Sequence, residues 1–144
     1  MKKIVFIIIA VVVGYGYVQE KGISIPGLFS SGASSGSAIQ NAYNNRQSDL
    51  QVQGFGTVTR VLPDDLEGSR HQKFILKLGT GQTLLISHNI DLAPRVSGLT
   101  VGDTVEFYGE YEWNSKGGAI HWTHHDPNNY HVGGWLKRGG RTYQ

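Results

Sequence analysis

The clearest pattern of hydrophobic and polar positions alternates with a period of two residues over positions 104–127. In the first arm, one face carries Val105, Phe107, Gly109, Tyr111 and Trp113, and the other carries Glu106, Tyr108, Glu110 and Glu112. After a glycine-containing turn, the second arm places Ile120, Trp122 and His124 on one face and Ala119, His121, Thr123 and His125 on the other. Such alternation is typical of half-buried strands. It predicts a β-hairpin with an apolar side against a core and a Glu/His side in water.

Three further β-rich runs precede this hairpin. They cover residues 50–62, 71–78 and 82–89. The last two runs are separated by Gly79–Gly81 and are predicted to form another hairpin. Residues 90–102 form a connector in which Pro94 and Gly98 interrupt any helix, so the helix usual here in an OB-fold should be short or absent. The pattern predicts an all-β fold, a small five-stranded OB-like barrel, with an open sandwich as the alternative.

The N-terminus combines Lys2 and Lys3 with an apolar run of fifteen residues, Ile4–Val18. As a helix this run would be about 22 Å long, whereas the bilayer core is about 30 Å thick. It lies between a signal peptide and a short signal anchor, and we favour an uncleaved anchor over residues 1–21. A buried core helix is a further alternative. The expected location is the inner membrane, facing the periplasm, or the periplasm or exterior if the segment is cleaved; the membrane is the expected partner.

Residues 22–49 are rich in Gly, Ser and Asn and have no sustained apolar period. This composition predicts a flexible linker that holds a folded domain away from the membrane. A short helix over 38–46 is compatible with the sequence, although its helix propensity is weak. The folded domain is assigned to residues 50–144.

The charge of the predicted domain is balanced, because residues 50–144 contain nine Lys/Arg and nine Asp/Glu. A domain without excess positive charge lacks the usual basis for phosphate binding, so nucleic acid is an unfavoured partner, though not an excluded one. The absence of cysteine excludes disulfides, thiolate metal sites and a cysteine nucleophile. All six histidines of the chain lie in this domain.

Four short runs resemble those of a bacterial family catalogued only as a domain of unknown function. They are HQKFIL at 71–76, HNIDLAPR at 88–95, GEYEWN at 109–114 and HWTHHDP at 121–127. The resemblance covers about residues 52–144. It implies a family without a mechanism, so no catalytic or binding residue is carried over from it.

Histidines and acidic residues are expected to meet at one rim of the barrel. In OB-fold strand order the third and fifth strands run parallel, which brings the ends of these strands near the start of the second strand and the first loop. The expected metal ligands there are His71, His88, His124, His125 and Asp126. The further ligand-binding candidates are Asp64, Asp65, Asn89 and Asp91. Imidazoles and carboxylates together suit Zn²⁺ or another first-row divalent ion.

Structural interpretations of the same residues stay open. His121 faces Glu110 and Glu112, and cross-strand pairs of opposite charge stabilise sheets by about 0.2–1 kcal/mol. Histidines can also bond loop carbonyls, and aspartates commonly cap turns. The tail, residues 133–144, is either a basic and aromatic ligand-binding arm or a segment whose Trp135 docks on the barrel.

Three functional hypotheses follow. The first is an exported, membrane-tethered binding module of the cell envelope whose His/Asp-rich rim could bind a divalent metal. The second is a divalent-metal-dependent hydrolase, of the phosphodiesterase or nuclease type, that uses the same rim. The third is a structural domain that binds an envelope partner.

Overall fold

The computed structural model describes residues 32–144, with side chains from residue 36 onward. The predicted signal anchor, residues 1–21, and the first part of the predicted linker lie outside the described residues. Within the described part of the chain, no helix has the length and apolar character needed to cross a membrane.

The described chain forms one helix and seven strands. They are α1 (Gly32–Asn44), β1 (Leu50–Val61), β2 (His71–Lys77), β3 (Thr83–Asn89), β4 (Thr104–Glu112), β5 (Ala119–His121), β6 (Trp135–Arg138) and β7 (Arg141–Tyr143). The strand order is β1-β2-β3-β5-β4-β6-β7, and an additional β1–β4 pairing closes the first five strands into a barrel. β3 and β5 pair in parallel, whereas the other pairs are antiparallel. The predicted OB-like barrel is therefore confirmed.

The alternation predicted for β4 is present in the structure. Val105, Phe107 and Tyr111 are fully buried in the barrel, and Glu106 on the other face is exposed. β1 runs beside β4 for eight residue pairs, from Leu50↔Tyr111 to Thr57↔Thr104. This long ladder needs close packing at Gly54, where a Cβ atom would lie 2.9 Å from Cζ of Phe107. A glycine in β1 thus makes room for a core aromatic ring of β4.

The alternation predicted for the second arm is wrong beyond His121. β5 ends at His121, and Trp122 follows with a φ of 58°. A residue in the left-handed region leaves the extended geometry on which strict alternation depends. Thr123 is therefore fully buried and His124 nearly so, while Trp122, predicted to lie in the core, is only half-buried.

Helix α1 lies in the stretch that was predicted to be a flexible linker. Its Ile39 and Ala42 are buried and belong to the same hydrophobic core as the barrel strands. Tyr43 stacks on Trp113 with 6.2 Å between ring centroids, and the Trp113 indole nitrogen donates to the Tyr43 carbonyl. The described part of this stretch is thus an ordered helix packed on the barrel, longer than the helix considered over 38–46.

The C-terminal tail adds two strands that the sequence did not predict. β6 pairs with β4 and β7 pairs with β6, so the tail is a hairpin at the edge of the barrel. Its anchors are Leu136 and Tyr143, which are 0% and 2% exposed, whereas Trp135 is only half-buried. The Asp103–Arg138 ion pair, 2.8 Å long, joins the hairpin to the turn before β4.

Candidate functional site

An open cleft of about 280 Å³ lies on the outside of the barrel across β2, β3, β5 and β4. It is lined by His71, Ser87, Asn89, Leu92, Glu110, Glu112, His121, Trp122 and His124. The strand register explains why these side chains meet, because His71 pairs with Asn89 and Glu110 pairs with His121. The parallel pairing of β3 and β5 brings the two hairpins together. We call this the His/Glu cleft.

Three of the nine predicted site residues line the His/Glu cleft. They are His71, Asn89 and His124. The Nδ1 atom of His71 is bonded to the Ser69 carbonyl at 2.9 Å, and Nδ1 of His124 is bonded to the His125 carbonyl at 2.9 Å. The amide oxygen of Asn89 caps a turn by accepting from the backbone N–H groups of Asp91 and Leu92.

His88 does not line the cleft but is fully buried. Its Nε2 lies 2.9 Å from the Pro94 carbonyl, which can only accept, so Nε2 carries the proton. Nδ1 then accepts the Thr123 hydroxyl at 2.7 Å. Burial lowers the pKa of His88 to about 4, although the Pro94 bond acts in the opposite direction. Both nitrogens therefore serve the fold, and His88 has no lone pair free for a metal.

Asp126 and His125 are also placed away from the cleft lining. The Asp126 carboxylate accepts the backbone N–H groups of Asn128, Tyr130 and His131 at 2.8–3.0 Å. Bonds from the Asn128 and His131 N–H groups hold the pKa of Asp126 below its ordinary value. Asp126 thus organises the loop after β5, and His125 is exposed beside it.

The loop acids are engaged in ion pairs. The Asp64 carboxylate accepts hydrogen bonds from Nη1 and Nη2 of Arg95. Asp91 forms an ion pair with Arg70 at 2.7 Å, and Asp65 forms one with Lys73 at 3.4 Å. Hydrogen bonds from the backbone also lower the pKa of Asp65 and of Asp91. The connector is further held by Gln72, whose amide exchanges two hydrogen bonds with the backbone of Val96. These residues fix the loops at the rim.

Two glutamates that line the cleft, and Asp49 beside them, were not among the predicted ligands. Asp49, Glu110 and Glu112 offer carboxylate oxygens that lie within 4.8 Å of one another, and this is the one group with possible metal-ligand spacing in the described part of the chain. None of the five predicted metal ligands belongs to it. The alternation of glutamates along β4 could have indicated Glu110 and Glu112 from the sequence. Asp49 comes close to them because its backbone N–H donates to the Tyr111 carbonyl, just before the start of β1.

His131 is a second residue that the prediction missed. Its ring stacks on Trp122 with 4.0 Å between centroids and 7° between planes, and its Nε2 lies 2.5 Å from Oε1 of Glu110. Trp122 also contacts the His124 ring at a centroid distance of 5.4 Å. Burial lowers the pKa of His131, but Glu110, the Val132 carbonyl and Asp126 outweigh it, so the pKa is raised.

The pKa of His121 is shifted in the opposite direction from that of His131. Burial lowers its pKa, and the nearby His71 and Lys73 act in the same direction, whereas Glu112 and Glu110 oppose them. Its ring is thus biased toward the neutral form, in which an imidazole can bind a metal. The cleft combines such an imidazole with the half-buried carboxylates of Glu110 and Glu112.

The comparison with curated proteins finds no match. The family model described as "Protein of unknown function (DUF3465)" matches residues 24–144. The match covers α1, all seven strands and every residue of the His/Glu cleft. The expected resemblance to a family of unknown function is thereby confirmed, and the chain belongs to the DUF3465 family.

Proposed function

We propose that this protein is an exported, membrane-tethered binding module of the cell envelope that binds a divalent cation in the His/Glu cleft. The observation that supports it is the meeting of three carboxylates, within 4.8 Å of one another, with a cleft lined by three imidazoles. Oxygen and imidazole ligands together suit Mn²⁺, Zn²⁺ or Ni²⁺. The hydrolase hypothesis stays a prediction.

The carboxylates of Asp49, Glu110 and Glu112 would be the principal ligands. His121 pairs with Glu110 in the strand register and is the candidate for an additional imidazole ligand beside the three carboxylates. His88 and Asp126, which the sequence favoured, are not part of this set because hydrogen bonds of the fold occupy them. The proposed centre therefore lies on the outer face of β4 and β5.

His131 already binds Glu110, with 2.5 Å between its Nε2 and Oε1 of the carboxylate. A metal ion at Glu110 would have to displace this imidazole or share the carboxylate with it.

The proposal is tested by titration calorimetry of the full chain in mild detergent with Mn²⁺, Zn²⁺ and Ni²⁺. We expect at least one of them to bind tighter than millimolar, and Glu112→Gln to weaken that binding at least tenfold because one anionic ligand is lost. Glu106→Gln is the matched control, since Glu106 lies on the same strand and face but outside the cleft lining. Millimolar or weaker binding of all three ions would refute the proposal.

A further inference from the structure

A second surface lies on the outer face of β1, β4 and β6, and it shares no lining residue with the His/Glu cleft. Its centre is Phe55, a large apolar side chain that is 50% exposed. Phe55 lies opposite Glu106, which lies opposite Lys137. The next row across the same strands is Gln53, Tyr108 and Trp135. We call this surface the Phe55 face.

Two open grooves border Phe55. One, of about 410 Å³, runs toward β2 and is lined by Phe55, Gly56, Thr57, Thr59, Lys77, Leu78, Gly79 and Thr104. The other, of about 370 Å³, runs toward the β6–β7 turn and is lined by Phe55, Thr104, Glu106, Lys137, Arg138, Gly139 and Gly140. Because both share Phe55 and Thr104, they form a continuous path across the strands with an aromatic ring at its middle. This shape fits an extended chain.

The aromatic rings of the face are spaced along this path. Tyr108 is a diagonal neighbour of Phe55, a relation that separates residues by about 7–8 Å in an antiparallel pair. The Tyr108 and Trp135 rings lie 5.9 Å apart, and Lys137 Nζ lies 4.5 Å from the centre of the Trp135 ring. Phe55 is exposed, and Tyr108 and Trp135 are half-buried. Rings at such intervals can stack on successive planar or apolar faces of a polymer, and the threonines of the groove can bond its hydroxyl groups.

The charges of the face are few and widely spaced. Lys77 and Lys137 are three strands apart, or about 14 Å at about 4.8 Å per strand. Glu106 lies between them, and Arg138 is neutralised by Asp103. A nucleic-acid strand carries a phosphate on every nucleotide, and two lysines with Glu106 between them do not match that density of negative charge. A polymer with a carboxylate only on alternate units matches two separated lysines.

We propose that the Phe55 face binds an acidic polysaccharide. One sugar ring stacks on Phe55, a neighbouring unit contacts Tyr108 and Trp135, and carboxylates of separate units pair with Lys77 and Lys137. This site is distinct from the cation site proposed above: both include part of the outer face of β4, but their grooves share no lining residue.

The test is calorimetric titration of the full chain with hyaluronan hexasaccharide, in which carboxylated and neutral sugars alternate. We expect measurable binding that Phe55→Ala weakens at least tenfold and that Lys77→Gln or Lys137→Gln weakens about threefold each. These side chains are on the surface, and circular dichroism verifies that each variant is folded. Tyr130→Ala is the matched control because Tyr130 is 94% exposed and lines neither groove, so it should bind like the unmodified chain.

Three further probes test the proposal against a neutral sugar chain, a nucleic acid and a membrane. Chitohexaose, a neutral chain, should bind at least fivefold more weakly; equal affinity would remove the role of the lysines. Tighter binding of a twelve-nucleotide thymidine strand would identify a nucleic-acid surface. Tighter binding of phosphatidylglycerol vesicles by the chain without residues 1–21 would identify a membrane surface. Failure of all acidic hexasaccharide binding, or equal binding by Phe55→Ala, would also overturn it, and neither result bears on metal titration.

Discussion

At the scale of single residues, the histidines divide by environment rather than by sequence motif. His88 is sealed in the core with both nitrogens bonded, His125 is exposed, and His131 is held against Glu110 and Trp122. Residue type alone could not separate them. The separation depends on Trp122, whose left-handed backbone turns Thr123 inward to meet His88.

The buried His88 predicts a dependence of stability on pH. Burial lowers its pKa to about 4, whereas the unfolded chain protonates it near 6.5. Between these values the unfolded state binds more protons, so the free energy of unfolding should fall as pH drops from 6.5 to 4, by about 3 kcal/mol in all. Urea unfolding at several pH values in this range measures the slope.

The matched pair for this measurement is His88→Gln and His125→Gln. The first should flatten the slope but leave part of it, because burial also lowers the pKa of His121. The second should keep the full slope, since His125 is exposed. His131 adds no slope here, because a group with a raised pKa contributes its full stabilisation below the unfolded value of about 6.5. An unchanged slope in His88→Gln would show that another group controls the transition.

At the scale of elements, helix α1 is required to complete the barrel core. Ile39 is 0% exposed, and its Cδ1 lies 3.4 Å from the position of a Cβ on Gly54. Ile39→Ala should therefore lower the free energy of unfolding by about 2–5 kcal/mol. Gln40→Ala, at the next and exposed position of the helix, should change it by less than about 0.5 kcal/mol. Equal effects of the two changes would mean that α1 does not pack on the barrel in solution.

Strands were easier to predict than this helix for a physical reason. The glutamates of β4 alternate with large apolar residues over nine positions, and both faces of the strand can be read from them. Over residues 36–44 of α1, where side chains are described, only Ile39 and Ala42 are buried in the core, and the helix is rich in serines and glycines, whose helix propensity is low. The β6–β7 hairpin was difficult to predict for the same reason, because its two buried residues, Leu136 and Tyr143, lie among charged residues and glycines. In each case tertiary packing decides the structure.

At the scale of the whole molecule, strand order predicted where a site could form but not its members. Parallel pairing of β3 and β5 does bring His71, Asn89 and His124 to one cleft. Hydrogen bonds and ion pairs decide which side chains there remain available to bind a ligand, and the spacing of residues in the sequence does not reveal them. Asp126, for example, accepts hydrogen bonds from three backbone N–H groups. The carboxylate of Asp49 joins from a residue 61 positions before Glu110, through the β1–β4 ladder that closes the barrel.

Export is the remaining prediction at this scale, and it concerns the segment of residues 1–21. Two lysines followed by fifteen apolar residues are typical of a signal anchor, so the full chain should fractionate with membranes and expose its barrel to protease only after the outer barrier is opened. Deleting residues 1–21 should move the protein to the soluble fraction while its far-ultraviolet circular dichroism and urea midpoint stay those of the folded barrel, because the core residues of the described part of the chain lie between Ile39 and Tyr143. Replacing Lys2 and Lys3 with glutamate should reduce export, since cytoplasmic positive charge orients such segments. Recovery of the full chain in the cytosol would contradict export and would leave the barrel as an intracellular module.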